Sequence, residues 1–335
     1  MAGARDMRIL RFGGASCADL AAISRTALDR PLTHSAELIV AVPSDEGVVL
    51  GSLQRLSELD GIAGASSVGP SSLVVRRGTG GAECHVGPGT VWMQLALSSP
   101  SALVACEPDR LCNRYVRPLL RALTKVGALA HYFDRDWVSA SKAPVASVSF
   151  AHDTQTGRSL VEAFVAVDTP FALRDRPSFM GKTPRTLRAL GLSCEAPRVG
   201  VAVVDAYRAA YGSDELAAFD ASSILGALAG LPLRAPADDP REDPPWAAVR
   251  AEAIGIVAAG RDRAGRMRVG GELMASRDAI ARLEEAIASS AGDPARLDQT
   301  RLDQAVDALA APGVALLGVR DLRSIRAVIA EALGQ

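Results

Sequence analysis

The sequence predicts an α+β protein in which a mixed, largely antiparallel sheet with flanking helices is joined to a small α/β accessory domain. Three observations carry that prediction. Short apolar strands mix with helical stretches but lack the strict strand–helix–strand alternation of a doubly wound sheet. Two of the strands, VASVSF (145–150) and LVEAFVAV (160–167), flank the polar segment AHDTQTGRS, where Gly157 is available for positive φ, so the two pair as an antiparallel hairpin. Finally, LPLRAPADDPREDPPW (231–246) gathers five prolines and a cluster of charges, which removes the amide donors and the apolar periodicity that a packed element needs. That stretch is the expected linker between residues 1–230 and residues 247–335.

Taken in order, ELIVAV (37–42), SLVVR (72–76) and VWMQLAL (91–97) are apolar runs of strand length, and helical patterns cover about 108–126 and 184–211. Beyond the linker, AEAIGIVAAG and RMRVGGELM flank RDRAG, a second hairpin signal with Gly260 and Gly265 at the turn. In SRDAIARLEEAIAS, Ser276 is the expected N-cap, with Ile280, Leu283 and Ile287 on one helix face; Leu302, Val306 and Leu309 repeat the pattern. The strand VALLGV (314–319) and an amphipathic helix from Leu322 to Leu333 close a unit of about 90 residues, within the usual domain range.

Composition narrows the function classes. Of the 335 residues, 48% are hydrophobic and 22% charged, and 37 basic side chains face 38 acidic ones for a formal charge of −1. No bulk field then draws nucleic acid or an anionic membrane, and any anion site must be local. Charges interrupt the apolar residues from Met1 to Arg11, and no apolar run approaches the roughly 18 residues a bilayer span requires, so neither export nor membrane insertion is expected. Five cysteines without CxxC pairing argue against a disulfide framework or a structural metal site and fit a reducing cytoplasm.

The segment richest in chemistry is VVRRGTGGAECHVGPGT (74–90). Glycines at 78, 80, 81, 87 and 89 let main-chain amides approach a ligand, while Arg76 and Arg77 have the bidentate geometry for carboxylate or phosphate. Two readings are open: an anion-holding site, or a wide hairpin with solvated arginines. The adjacent arginines favour the site. No GK[ST] follows, so this is no Walker A loop, and a strand rather than a helix comes next, so it is no dinucleotide fingerprint.

RRGTGG followed by GPG resembles the pattern of the lipoate–protein ligase A group in the biotin and lipoate ligase superfamily. The resemblance runs on through the helix near 108–126, the hairpin at 145–167, RPSFMGKTPRTLRALGL (176–192), and EAIGIVAAG and GGELMAS in the accessory unit, covering nearly the whole chain. It implies a biotin/lipoate ligase-like fold. It also implies an enzyme that joins lipoate or a related medium-chain fatty acid to ATP, with Mg2+ accompanying the nucleotide. The acyl-adenylate then delivers its acyl group to a lysine of a lipoyl-type carrier domain. By the same resemblance, Arg76, Arg77, Thr79, Gly80, Gly81 and Gly89 line the acyl-adenylate site. Lys142 in SASKAPVASVSF is the implied catalytic lysine, with Lys182 in SFMGK as the reserve. The acid's hydrophobic part is expected beside the strands beginning at Trp92 and Val145.

The chain departs from the pattern at Ala82, in place of a third glycine, at Glu83, and at Val86-Gly87, in place of a His-Asp pair; His85 stands one register away and faces the other side of an extended segment. A non-catalytic lipoate- or biotin-type binding protein is therefore one alternative. Another is an octanoyl or lipoyl transferase working through a cysteine thioester, for which Cys84 and Cys194 are the candidates and Cys106 and Cys112 read as buried fillers. Asp134, Asp136 and Trp137 read first as a charged turn anchored by tryptophan, ahead of the alternative, under the resemblance, that they approach the adenine or the entrance to the acyl tunnel; His131 reads as a core residue, and His152 with Asp153 as turn residues.

Overall fold

Runs of β-branched and aromatic residues set the frame, and the computed structural model describes it over residues 6–59, 73–212, 215–220, 243–252, 255–289 and 299–334. Strand β1 (Met7–Ala15) leads through helix α1 (Cys17–Thr26) to β2 (Ala36–Pro43) and β3 (Gly47–Leu50). The glycine-rich loop lies between β4 (Val74–Arg76) and β5 (Cys84–Val86), and β6 (Thr90–Leu97) follows. Helices α2 (Leu111–Tyr115) and α3 (Arg117–Lys125) precede a meander of β7 (Ala130–Tyr132), β8 (Trp137–Ala140), β9 (Ala143–His152) and β10 (Ser159–Ala166); α4 (Ala196–Tyr211) and β11 (Glu215–Asp220) come next. Among the described residues the main sheet has the order β11-β1-β2-β6-β10-β9-β8-β7. β1 pairs in parallel with β2 and β11, and the remaining pairs are antiparallel, as expected of a mixed sheet. The β9–β10 hairpin pairs His152 with Ser159 through to Ala146 with Val165, and Gly157 turns it at φ 72°.

Every residue of β6, β9 and β10 is buried, because both faces of the sheet are covered. On one face Met93, Leu95, Val148 and Val161 pack against Leu119 and Leu123 of α3 and Val199, Val203 and Tyr207 of α4. On the other, Ile39, Trp92, Phe164 and Trp137 meet α1, Phe171 and Phe179, and a small sheet ordered β4-β3-β5. β3 lies between β4 and β5, so the loop that joins those two strands is not a wide hairpin but a crossing over a third strand. Ser16 caps α1 by accepting the Asp19 N–H at 3.1 Å.

The C-terminal residues build a separate apolar core from β12 (Ala248–Glu252), β13 (Gly255–Arg261), β14 (Met267–Gly271), β15 (Met274–Ala275), α5 (Arg277–Ser289), α6 (Gln299–Asp307), β16 (Leu316–Leu317) and α7 (Leu322–Ala332). Ile280, Leu283, Ile287, Leu302, Val306 and Leu309 are all in it. Residues 231–242 of the expected linker fall outside the described residues. From Asp243 on, its end is pinned to the glycine-rich side of the molecule: Asp243 pairs with Arg76, and Arg55 stacks over Trp246 at 3.7 Å.

Several expectations need correction. The helix expected over 184–211 exists only as α4; ahead of it lies one 3-10 turn, Arg188–Leu190, stopped by Gly191 at φ 82°, with Pro184 breaking any earlier turn. Gly260 lies inside β13, and Gly265, at φ 76°, makes the hairpin turn. Ser276 precedes α5, but its Oγ accepts the Ala315 N–H at 2.9 Å instead of capping the helix. VALLGV contributes only the two-residue β16. Strands β1, β3, β7 and β8 carry no clean signal: arginines interrupt β1, and the others are three or four residues long. No described helix is long and apolar enough to cross a membrane.

Candidate functional site

The two arginines of the loop both turn inward. Arg76, at the end of β4, donates to the Gln54 carbonyl at 2.9 Å and pairs with Asp243 at 2.5 Å. Arg77 is only 1% exposed. Its Nε donates to Thr79 Oγ1 at 2.9 Å, and its terminal nitrogens donate to the carbonyls of Val49 (3.2 Å), Gly80 (2.6 Å) and Ala82 (2.9 Å). A guanidinium whose donors are spent on three main-chain carbonyls and the Thr79 hydroxyl shapes the loop that surrounds it.

Thr79 continues the network downward onto the sheet. Its hydroxyl donates to Glu162 Oε2 at 2.6 Å and shares a hydrogen bond with Ser149 at 2.8 Å. Glu162 also accepts from Ser24 Oγ at 2.9 Å and from the Trp92 indole N–H at 2.8 Å. Burial pushes this carboxyl above the usual carboxylate range even though Arg77 and the three donors oppose the shift. Trp92 is thus a sealed core residue anchored to Glu162, and Val145 points to the helix-covered face.

Glycine is required at 80 by close approach and at 81 by a left-handed backbone. The Gly80 N–H donates to Phe150 O at 3.2 Å and the Gly81 N–H to Leu273 O at 3.0 Å; a Cβ on Gly80 would strike the Leu273 carbonyl and the Met274 backbone, and Gly81 stands at φ 85°. The C-terminal unit therefore packs directly onto the loop. Gly89 sits apart from this group, its carbonyl accepting N–H bonds from Val167, Asp168 and Thr169.

Lys142 lies elsewhere again. Ser141 and Lys142 take left-handed φ values of 47° and 68° in the two-residue turn between β8 and β9, and Lys142 is exposed there. At roughly 3.3 Å per strand residue, β9 carries the chain about 26 Å from Lys142 to Phe150, the neighbour of Gly80. The structure brings Arg77, Thr79, Gly80 and Gly81 together, and places Arg76, Gly89 and Lys142 in three other locations. Lys182 is on the loop-covered face, its Nζ 5.2 Å from the Trp137 ring, and its segment is tied to the start of β9 by the Arg185 N–H donating to Pro144 O at 2.9 Å.

A buried ionic cluster in the same layer has no simple sequence signature. Arg174 bridges Glu83, at 3.0 and 3.2 Å, to Glu272 of the C-terminal unit, and Gln54 donates to Glu83 at 3.0 Å. Burial works to raise the Glu83 carboxyl, but Arg174, Arg176 and the Gln54 hydrogen bond together hold it below the usual range. Arg176 lies 3.4 Å from Asp136, and its guanidinium stacks over Phe179 at 4.4 Å. Ser178 Oγ donates to Asp136 Oδ2 at 3.3 Å, and the Trp137 indole N–H donates to Ser178 O at 2.8 Å. Both terminal nitrogens of Arg176 and the Oδ1 of Asp136 lack a hydrogen-bond partner among the described residues. The sole hint in the sequence is the dense charge of RDR at 174–176; its partners are tens of residues away.

All five cysteines are buried. Burial raises the Cys84 thiol against the pull of Arg77 and Arg176, raises Cys194, and pushes Cys106 and Cys112 up to about 11 and about 12. No cluster of three or more His, Cys, Asp or Glu side chains placed to hold a metal occurs among the described residues.

No protein-family model and no curated protein matches this sequence. Solved structures do match. P. falciparum LipL1 in complex with lipoate superposes with a TM-score of 0.63 at 10% identity, covering 98% of this chain and 100% of that one. The fold is that of the biotin and lipoate ligases. Lipoate-protein ligase A bound with ATP gives 0.51 at 14% identity over 67% of this chain and 94% of its own. The bi-partite lipoate protein ligase of Thermoplasma acidophilum gives 0.50 at 15% identity over 67% and 91%. In the match to LipL1, the ligase fold and the C-terminal unit are covered together.

Proposed function

We propose that this protein is a ligase that activates lipoate or a similar medium-chain carboxylic acid with ATP and transfers the acyl group to a lysine of a lipoyl-type carrier domain, in a cytoplasmic setting. The observation that carries this reading is the fold likeness along nearly the whole chain to LipL1 in its lipoate complex; the likeness to an ATP-bound ligase supports ATP as the activating substrate. In the first half-reaction a carboxylate oxygen bonds to the α-phosphorus as the bond to the β-phosphate breaks, and pyrophosphate leaves. In the second, the carrier amine attacks the acyl carbon, AMP departs and the nitrogen loses a proton. Magnesium enters as the ATP complex, bound to phosphate oxygens.

Lys142 is assigned to the oxygens of the activated carboxyl group, where its charge offsets what develops in the transition state. The glycine-rich loop forms the opposite end of the site, and Arg77 acts there by holding Thr79 to Ala82 in place. The inward turn of both arginines favours a second reading, a binding protein without turnover. The buried, raised thiols disfavour the thioester route.

The test is pyrophosphate release from the purified chain with ATP, magnesium and lipoate or octanoate. Acyl-adenylate formation is the expected result, and acid binding with no ATP consumed would replace the ligase by the binding protein. Lys142→Ala should cut release about 100-fold or more. If Lys182→Ala does so and Lys142→Ala does not, the role passes to Lys182.

A further inference from the structure

We propose that the helix layer holds a second binding site, for a small molecule that carries a phosphoryl dianion, either free phosphate or a phosphate monoester. The proposal goes beyond the ligase reading and does not rest on it.

The site is a cavity of about 170 Å³ between α2, α3 and the end of α4. Val116, at φ −74° and ψ −19°, keeps the backbone helical from α2 into α3. Arg114, Arg117 and Arg121, spaced three and four residues apart, therefore stand on one helix face, and all three line the cavity. Val104, Pro118 and Tyr211 give it an apolar wall. Arg117 and Arg121 are exposed and Arg114 is half-buried, so the cavity is reached directly from solvent.

Three guanidiniums share this space with no acid among the described lining residues. Arg114 and Arg121 make no hydrogen bond or ion pair with a described residue, and Arg117 reaches only Asn113, through its carbonyl and side-chain oxygens at 3.3 Å each. The carboxylates around them are engaged elsewhere: Asp134 accepts from the Asn113 amide at 2.6 Å, Asp205 pairs with Lys125 at 3.1 Å, and Asp109 pairs with Arg110 at 3.3 Å. Like charges four residues apart on a helix repel each other. The whole chain carries a formal charge of −1, so no general excess of cations accounts for the cluster. A ligand that brings negative charge relieves the repulsion.

Size and charge select among anions. The cavity is smaller than the roughly 300–1,000 Å³ of pockets that enclose a whole drug-sized ligand, so it takes a compact group. A carboxylate offers one charge and two oxygens, which a single guanidinium fork satisfies. A phosphate monoester offers a charge of about −2 and three terminal oxygens, one for each arginine. The Tyr211 ring, 6.0 Å from Tyr115 and 6.1 Å from Tyr207, is a fixed aromatic surface for the organic part of an ester.

Calorimetric titration of the full chain with phenyl phosphate, inorganic phosphate and benzoate decides the matter. Phenyl phosphate and benzoate share the ring and differ in the anion, and the wild type should bind the first at least about tenfold more tightly. Inorganic phosphate binding as tightly as phenyl phosphate identifies free phosphate as the source; weaker binding identifies an ester. Arg121→Glu puts a carboxylate at the exposed rim and should weaken phosphate binding at least about tenfold. Phosphate should also raise the melting temperature of the wild type and not that of the variant. If Arg121→Glu fails to fold, Arg121→Gln removes the charge alone and should show the same loss. Benzoate binding as tightly as phenyl phosphate, a wild-type affinity for both phosphates weaker than about 1 mM, or binding unchanged by the substitutions overturns the proposal. Binding is read without ATP or a fatty acid, so failure of the ligase reading leaves this site standing, and failure of this site leaves the ligase reading standing.

Discussion

The two faces of the central sheet solve the burial problem in opposite ways. Under α3 and α4, contact is made by Leu, Val, Met and Ala side chains, and the polar exceptions are tyrosines such as Tyr207, whose hydroxyl donates to the Tyr115 carbonyl at 2.5 Å. Under the glycine-rich loop, Arg77, Glu162, Glu83, Asp136 and Arg176 are all buried, at 5% exposure or less. Apolar packing is tolerant of detail, whereas buried charge requires each partner in position, so the loop-covered face is rigidly specified and carries the candidate site.

The contrast can be broken most severely at Arg77. Arg77→Ala removes the donors to three main-chain carbonyls and leaves the raised Glu162 carboxyl without its cation, so unfolding free energy should fall by about 3–5 kcal/mol in urea titration. A loss under about 1 kcal/mol would mean that the loop holds its shape without the guanidinium. On the helix-covered face, Leu119→Ala deletes a fully buried side chain and should cost about 3 kcal/mol, from lost transfer energy plus the cavity left behind. There the substitution leaves no orphaned charge, so Leu119→Met should restore most of the loss, while Arg77→Lys, lacking the fork, should restore little.

The same contrast explains what was legible in the sequence. The β9–β10 hairpin and the buried stripe Ile280, Leu283 and Ile287 follow periodicities of two and 3.6, and the structure contains both. The helix expected over 184–211 forms only from Ala196 on, because Pro184 and Gly191 override the helical apolar pattern ahead of it. At the site, glycine spacing points to amides open to a ligand, whereas the structure packs Gly80 against the Leu273 and Met274 backbone and spends the Gly80 and Gly81 N–H groups on Phe150 O and Leu273 O, partners that no local pattern names. Side-chain direction is harder still: the acceptors of Arg77 are carbonyls at 49, 80 and 82, and Arg176 lies in an irregular segment with no period to read.

A smaller, pH-dependent difference should appear where the loop-covered face meets the C-terminal unit. The Glu83 carboxyl is depressed below its ordinary value of 4.5, because Arg174, Arg176 and Gln54 together outweigh the larger single influence of burial. A depressed carboxylate contributes stability that is complete above its unfolded value and is lost as pH falls through its folded value. Wild type and Glu83→Gln should therefore differ most in melting temperature near neutral pH and converge on acidification below 4.5. Parallel curves across that window would remove Glu83 from the acid response.

The smallest structural effect is expected at Lys142, and that is what makes it informative. The residue is exposed at the tip of a hairpin turn, away from both buried layers. Lys142→Ala removes no core contact; its left-handed backbone suits neither lysine nor alanine, so stability should change by no more than about 0.5 kcal/mol. A melting curve matching wild type alongside lost pyrophosphate release would assign the lysine to chemistry. Lys142→Gly would relieve the positive φ and stabilise the turn, so a variant that is firmer yet inactive separates the two contributions of this position, one to the turn and one to the reaction. Retained turnover in both variants would pass the activating charge to Lys182, whose Nζ lies 5.2 Å from the Trp137 ring.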